Sequence, residues 1–210
     1  METLRDYRDR FKGQIVTMVG GAVTTVDYRD LVINGTETTI LINWALRIAP
    51  LWRGSTRRRY FFTWHLDQFG HLPELLIPGV IPCVYHGGLG YLPPQLHDKA
   101  VMYTGVNVRP FAAYTHLLRD FAIHGQDYLD ETGDIPSCAN STLLALMFVW
   151  HAGCRQINAV GMHDIGGVPR GHYDPRLPAT NLPCPTPVYV RDLETFCGIM
   201  GIRVNYIGQR

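Results

Sequence analysis

Three observations predict an α/β fold with a mostly parallel sheet and helices on both faces. Short apolar runs of strand length recur along the chain and are separated by polar, Gly- or Pro-containing turns. The run Leu143 to Trp150 is apolar on every side, as a helix inside a core must be. Shortly after it, Ile157 to Val160 reads as a short buried strand, which suits one covered on both sides in a parallel sheet. Strands alternating with helices in this way give a parallel α/β sheet, here a single Rossmann-like domain over residues 1–210.

Taken in order, Gln14 to Val19 (QIVTMV) is the first predicted strand, followed by Gly20-Gly21 and a polar turn to Asp27-Tyr28. Thr39 to Asn43 and Tyr60 to Trp64 are the second and third, and Val80 to Tyr85 and Ala100 to Thr104 two more. Gly87 to Pro94 reads as loop. Phe111 to His124 has helical spacing, with Leu117, Leu118, Phe121 and Ala122 on one face. Asn140-Ser141-Thr142 suits the start of the central helix and Gly153 its end. Residues 165–187 carry six prolines and read as a lid or binding loop, since structureless stretches of that length are usually functional. The final stretch, VRDLETFCGIMGIRVNYIG, is a helix, a Gly turn and a last strand at Val204 to Ile207.

Bulk properties exclude several classes. The 210 residues carry a formal net charge of +1 and 18% charged residues, so no global field draws the chain to nucleic acid or an anionic membrane. No apolar run approaches the roughly 20 residues of a membrane span, and the charged start METLRDYRDRFKG is no signal peptide. Five cysteines without a C-x-x-C pair suit reduced thiols, so a cytoplasmic location is expected. Cys154 and Cys197 lie within or beside apolar helices and read as core. Arg53 and Arg57-Arg58-Arg59 form a basic knot expected on the loop before the third strand.

The residues that could carry chemistry cluster at predicted strand ends and at one helix start. Gly20 and Gly21 follow a strand directly, as a turn that lets backbone approach a phosphate would. Asp27 lies just beyond them, and Asn43 ends the next strand. Asn140, Ser141 and Thr142 would offer hydroxyls and backbone N–H groups where a helix dipole favours an anion. His163 and Asp164 follow the strand that ends at Val160. The lid contains Arg170, His172 and Tyr173. Neither His163-Asp164 with His172 and Asp174, nor His65, Asp67 and His71, has a standard metal spacing. No resident metal is assigned, and Mg²⁺ accompanying a nucleotide through Asp164 is the ion the pattern suggests.

Four segments, in order, resemble one superfamily: the bacterial sialyltransferases of glycosyltransferase family forty-two and the archaeal 6-hydroxymethylpterin diphosphokinase-like proteins. VTMVGGAVTTVDYRDL is similar to the family's opening strand, Gly-rich loop and I-D-Y-x-x-L tail. TILINWAL resembles its Asn-ended second strand. NSTLLALMFVWHAGCRQINAVGMHD resembles a T-S-G-opened helix leading to G-x-K-E-I-Y-L-x-G-x-D, and LETFCGIMGIRVNYIG its last helix and strand. The first loop lacks the family's Pro-Ser, and His163 stands where an Asp is usual.

The resemblance implies glycosyl transfer from a nucleotide sugar to a hydroxyl of a small-molecule or glycan acceptor, with a modified nucleic acid also open. No cofactor is required in that chemistry. His172 would be the base, Tyr173 or Arg170 would stabilise the departing phosphate, and Gly20, Gly21, Asn43, Ser141 and Thr142 would hold the donor. The alternatives are Mg-ATP-dependent diphosphoryl transfer to a pterin-like hydroxymethyl group, and a non-catalytic nucleotide-binding protein. Self-association into a homo-oligomer is left open.

Overall fold

The computed structural model describes residues 1–20, 38–52, 58–63, 69, 73–103, 141–161 and 194–207. Eight strands form one sheet: β1 (Glu2–Thr3), β2 (Ile15–Val19), β3 (Thr38–Ile42), β4 (Arg58–Phe62), β5 (Val80–Tyr85), β6 (Val101–Tyr103), β7 (Gln156–Val160) and β8 (Arg203–Ile207). Their order is β1-β6-β5-β4-β3-β2-β7-β8. Every pairing is parallel. From β2 the chain builds outward through β3, β4, β5 and β6, then returns to the other flank of β2 with β7 and β8. The direction of building therefore reverses between β2 and β7.

The side-chain period of two divides each strand between two cores. On one face lie Val16, Met18, Ile40, Ile42, Tyr60, Phe62, Cys83, Val101 and Ile157. They are covered by α1 (Ser141–His151), by Leu4, Tyr7 and Phe11 of the N-terminal segment, and by Phe196 and Cys197 of α2 (residues 194–199). On the other face Val19, Leu41, Phe61, Val80, Val84 and Val160 pack against 3-10 turns. These turns span Asn43–Trp52, Pro73–Leu76, His86–Tyr91 and Pro94–Lys99. Both faces are thus covered, which is why β3 shows no polar alternation and is buried at all five positions.

α1 is the central covering element. Ten of its eleven residues are buried, Trp150 alone being intermediate. It packs over β3 and β4, and at about 1.5 Å per residue it spans about 16 Å, the length of a five-residue strand. Phe148 projects from it into an aromatic cluster, with ring centroids 5.2 Å from Phe62, 5.3 Å from Tyr7, 5.4 Å from Tyr60 and 5.7 Å from Phe11. Such tilted and edge-on pairs add to plain apolar burial.

The N-terminal segment is charged and unlike a signal peptide. It is in fact a structural strap. β1 pairs with β6 at the far edge, a 3-10 turn over Leu4–Tyr7 follows, and the chain then crosses to enter β2 at the centre. Tyr7 donates a hydrogen bond to the Glu2 carboxylate, and the Arg10 guanidinium, 3.2 Å from the same carboxylate, lies over the Tyr7 ring.

Arg58 and Arg59 are not on a loop, as the basic knot was expected to be. Both belong to β4, and Arg59 is fully buried. Its alternation partner Phe61 lies in the second core, so the strand's periodicity carries the guanidinium inward, and burial lowers its pKa. Strand boundaries otherwise fall within two residues of those expected. The Phe111–His124 helix, the Pro-rich segment 165–187, Arg53 and Arg57 lie outside the described residues. No described helix is long and apolar enough to cross a membrane.

Candidate functional site at the carboxyl edge

Because all strands are parallel, their C-terminal ends share one edge of the sheet. β4, β3, β2 and β7 are consecutive there. Each is followed directly by a residue that ends its apolar run: Thr63, Asn43, Gly20 and Gly161. α1 runs against the strands, so its first residue returns to the same edge while its last lies at the opposite one.

Asn43 is the hinge of this edge. It takes a left-handed conformation, φ 52°, as the chain turns out of β3 into the 3-10 turn; Asn tolerates that region better than most residues. Its Oδ1 accepts two hydrogen bonds, from Ser141 Oγ at 2.7 Å and from Thr63 Oγ1 at 3.0 Å. Three elements distant in sequence, β3, β4 and α1, are joined through one oxygen. Register accounts for the Thr63 contact: Ile42 pairs with Phe62, so the next residues of both strands stand side by side. Ser141 and Thr142 are buried in the first turn of α1.

Beside them, the backbone N–H of Gly20 donates to Val160 O at 2.8 Å, extending the β2–β7 ladder by one bond. Gly161 then turns away with φ 59°. The ends of β2, β3 and β7 therefore meet at the edge expected for them, and the structure brings Gly20, Asn43, Ser141 and Thr142 to it. Gly21, Asp27, Asn140, His163, Asp164, Arg170, His172 and Tyr173 lie outside the described residues. So do His65, Asp67, His71 and Asp174, and among the described residues no three His, Cys, Asp or Glu side chains group as metal ligands.

Thr63 was missed at the sequence level. Its signal was available: it is the first polar residue after the apolar run of β4, as Asn43 is after β3. His86, which follows β5 at the same edge, carries the same signal. Cys83, Cys154 and Cys197 are buried, and burial pushes all three thiols up, Cys197 to about 12. Cys154 instead donates to the carbonyls of Gln14 and Gln156 at the base of β2 and β7.

No protein-family model matches the chain, and no curated protein matches it.

Proposed function

We propose that the chain is a Rossmann-like nucleotide-binding enzyme that transfers a sugar from a nucleotide-activated donor to a hydroxyl acceptor. The observation that carries this reading is the convergence of Gly20, Asn43, Ser141 and Thr142 at the carboxyl edge, beside the point where the sheet reverses its direction of building. Parallel α/β sheets bind ligands in the crevice that such a reversal opens. In this reading Gly20 and Gly21 admit the phosphates, Asn43 and the start of α1 with Asn140, Ser141 and Thr142 hold the nucleotide, and Asp27, His163 and Asp164 line the crevice. His172 serves as base toward the acceptor hydroxyl, with Tyr173 and Arg170 on the departing phosphate. The donor and acceptor are the partners, and Mg²⁺ enters only with the nucleotide.

Thermal-shift measurements with CMP, UDP, GDP and ATP test the core of the proposal. A ligand at a hundredfold excess over Kd stabilises the fold by about 2.7 kcal/mol, and no shift with any nucleotide would sink it. Retained turnover in EDTA separates sugar transfer from diphosphoryl transfer, which needs Mg²⁺. His172→Ala should lower kcat by about 10²–10⁴-fold with donor binding little changed. His163→Ala, His65→Ala and His86→Ala run in parallel, and near-full activity in His172→Ala with loss in one of these moves the base to that residue.

A further inference from the structure

The two hydroxyl bonds to Asn43 determine what this amide can offer a ligand. A carbonyl oxygen has two lone pairs, and both on Asn43 Oδ1 are occupied, by Ser141 and Thr63. The oxygen can therefore accept nothing from a ligand. What remains is Nδ2, which carries two N–H donors and no acceptor, and which meets no hydrogen-bond partner among the described residues. Asn43 is only part-buried, so these donors are placed at the edge where the crevice opens.

We propose that Thr63 and Ser141 act as a positioning pair that turns the Asn43 amide nitrogen outward, so that the site selects a ligand oxygen that only accepts hydrogen bonds. Phosphoryl oxygens and the ring carbonyl of a pyrimidine both have that chemistry. The proposal rests on the nucleotide reading above and adds its recognition rule: groups that donate a hydrogen bond at this point are rejected. Thr63 contributes through Asn43 and needs no contact with the ligand.

Asn43→Asp is the discriminating substitution. A carboxylate keeps an acceptor for both hydroxyls and tolerates the left-handed backbone, but it replaces both donors with a second acceptor and a negative charge. If Asn43 only ties β3, β4 and α1 together, Thr63→Val leaves binding unchanged, and Asn43→Asp weakens the charged probes alone, by repulsion. If its donors bind the ligand, the variant keeps its unliganded melting temperature and loses affinity by at least about tenfold. Thr63→Val, which removes the hydroxyl at equal shape, should weaken binding by about threefold to tenfold, and Thr63→Ser should restore it.

Calorimetric titrations of wild type, Asn43→Asp, Thr63→Val and Thr63→Ser use inorganic pyrophosphate, CMP, UDP and the unphosphorylated nucleosides cytidine and uridine. Loss confined to pyrophosphate and the nucleotides in both Asn43→Asp and the uncharged Thr63→Val assigns the amide to a phosphoryl oxygen, and loss that includes the nucleosides assigns it to the base. Wild-type binding that Asn43→Asp leaves intact overturns the proposal while the nucleotide reading stands. No wild-type binding of any probe overturns both. Should Asn43→Asp fail to fold, the threonine pair decides: Thr63→Val binding like wild type overturns the proposal, and weakening rescued by serine upholds it.

Discussion

At its C-terminal end α1 is closed mainly by main chain. The N–H groups of Asp9 and Phe11 in the strap donate to the carbonyls of His151 and Ala152, and Gly153 and Cys154 donate back to Trp150 and Val149. His151 Nε2 lies 2.9 Å from Leu4 O, and Arg155 Nη1 donates to Trp150 O. At the N-terminal end, sixteen or so ångströms away by helix length, α1 is met by side chains: the Ser141 hydroxyl, the Asn43 amide and the Thr63 hydroxyl. The orphan carbonyls of the helix end are met by a backbone seam on one side. The other end is finished with side-chain hydroxyls and an amide. Main-chain closure marks the amino edge of the sheet and side-chain polarity the carboxyl edge.

The sharpest way to break this contrast is at Gly153. It holds φ 84°, and a Cβ there would stand 2.9 Å from Asp9 Oδ1, 3.0 Å from Asp9 Cα and 3.2 Å from Lys12 Cβ. The Asp9 Cα is backbone and cannot swing aside. Gly153→Ala should therefore cost about 2–4 kcal/mol, combining left-handed strain with displacement of the strap. Urea unfolding reads the loss, and the nucleotide-induced thermal shift should persist in the variant at temperatures where it remains folded. Unchanged stability would mean that the strap is loosely seated and that the two ends differ less than the geometry indicates.

The opposite end should answer in reverse. Ser141→Ala deletes one hydroxyl bond to Asn43, which is worth about 1 kcal/mol of stability, less than the Gly153 change. Its effect on nucleotide affinity should exceed its effect on the unfolding midpoint if, as proposed, it loosens an amide that faces the ligand. A variant that unfolds early yet binds normally would make Ser141 a structural cap alone.

The same contrast explains what the sequence made legible. The parallel sheet and the buried helix were readable because Ile40–Ile42 of β3 and Leu143–Trp150 of α1 are runs unbroken by a polar residue, a pattern that a doubly covered sheet and a core helix explain. Asn43 and Ser141 were readable as polar residues at the ends of such runs. Thr63 carried the same signal after β4, but its pairing with Asn43 follows from the register of β4 against β3, which residue types alone do not encode. The strap escaped for another reason. Leu4, Tyr7 and Phe11 are spaced three and four residues apart, but Arg and Asp crowd between them and mask the stripe. Those charges are spent locally, with Asp6 accepting from the Thr3 backbone N–H and hydroxyl and Arg10 paired with Glu2.

Alkaline pH probes the strap next. Burial, and then its bond to Glu2, raise the Tyr7 pKa well above its ordinary value of 10.0. Burial likewise pushes Cys197 and Tyr206 up to about 12 from 9.0 and 10.0. Each folded value lies above the unfolded one, so each contribution is complete below the unfolded pKa and is lost as pH rises through the folded one. Stability should decline from about pH 9 upward, and Tyr7→Phe should make that alkaline limb shallower. An unchanged limb in the variant would show that Tyr7 ionises freely and that the strap does not hold it.

Glu2 supplies the smallest effect and the most local one. The Tyr7 hydroxyl bond lowers its pKa below 4.5, burial opposes that shift, and the Arg10 guanidinium lowers it further. A depressed carboxyl contributes stability that is present above about pH 4.5 and is lost as pH falls through the folded value. The side chain is 48% exposed, so water and salt screen much of the interaction and the gain is small. Glu2→Gln should flatten the acid limb of stability slightly below pH 4.5 and leave the neutral value nearly unchanged. It should do so more visibly at low ionic strength, because the Arg10 part of the interaction is screened while the Tyr7 hydrogen bond is not. An acid limb identical in variant and wild type at low salt would place the hold of β1 on β6 in the ladder alone, and the Glu2–Tyr7–Arg10 cluster would then be an ornament of the strap and not one of its fastenings.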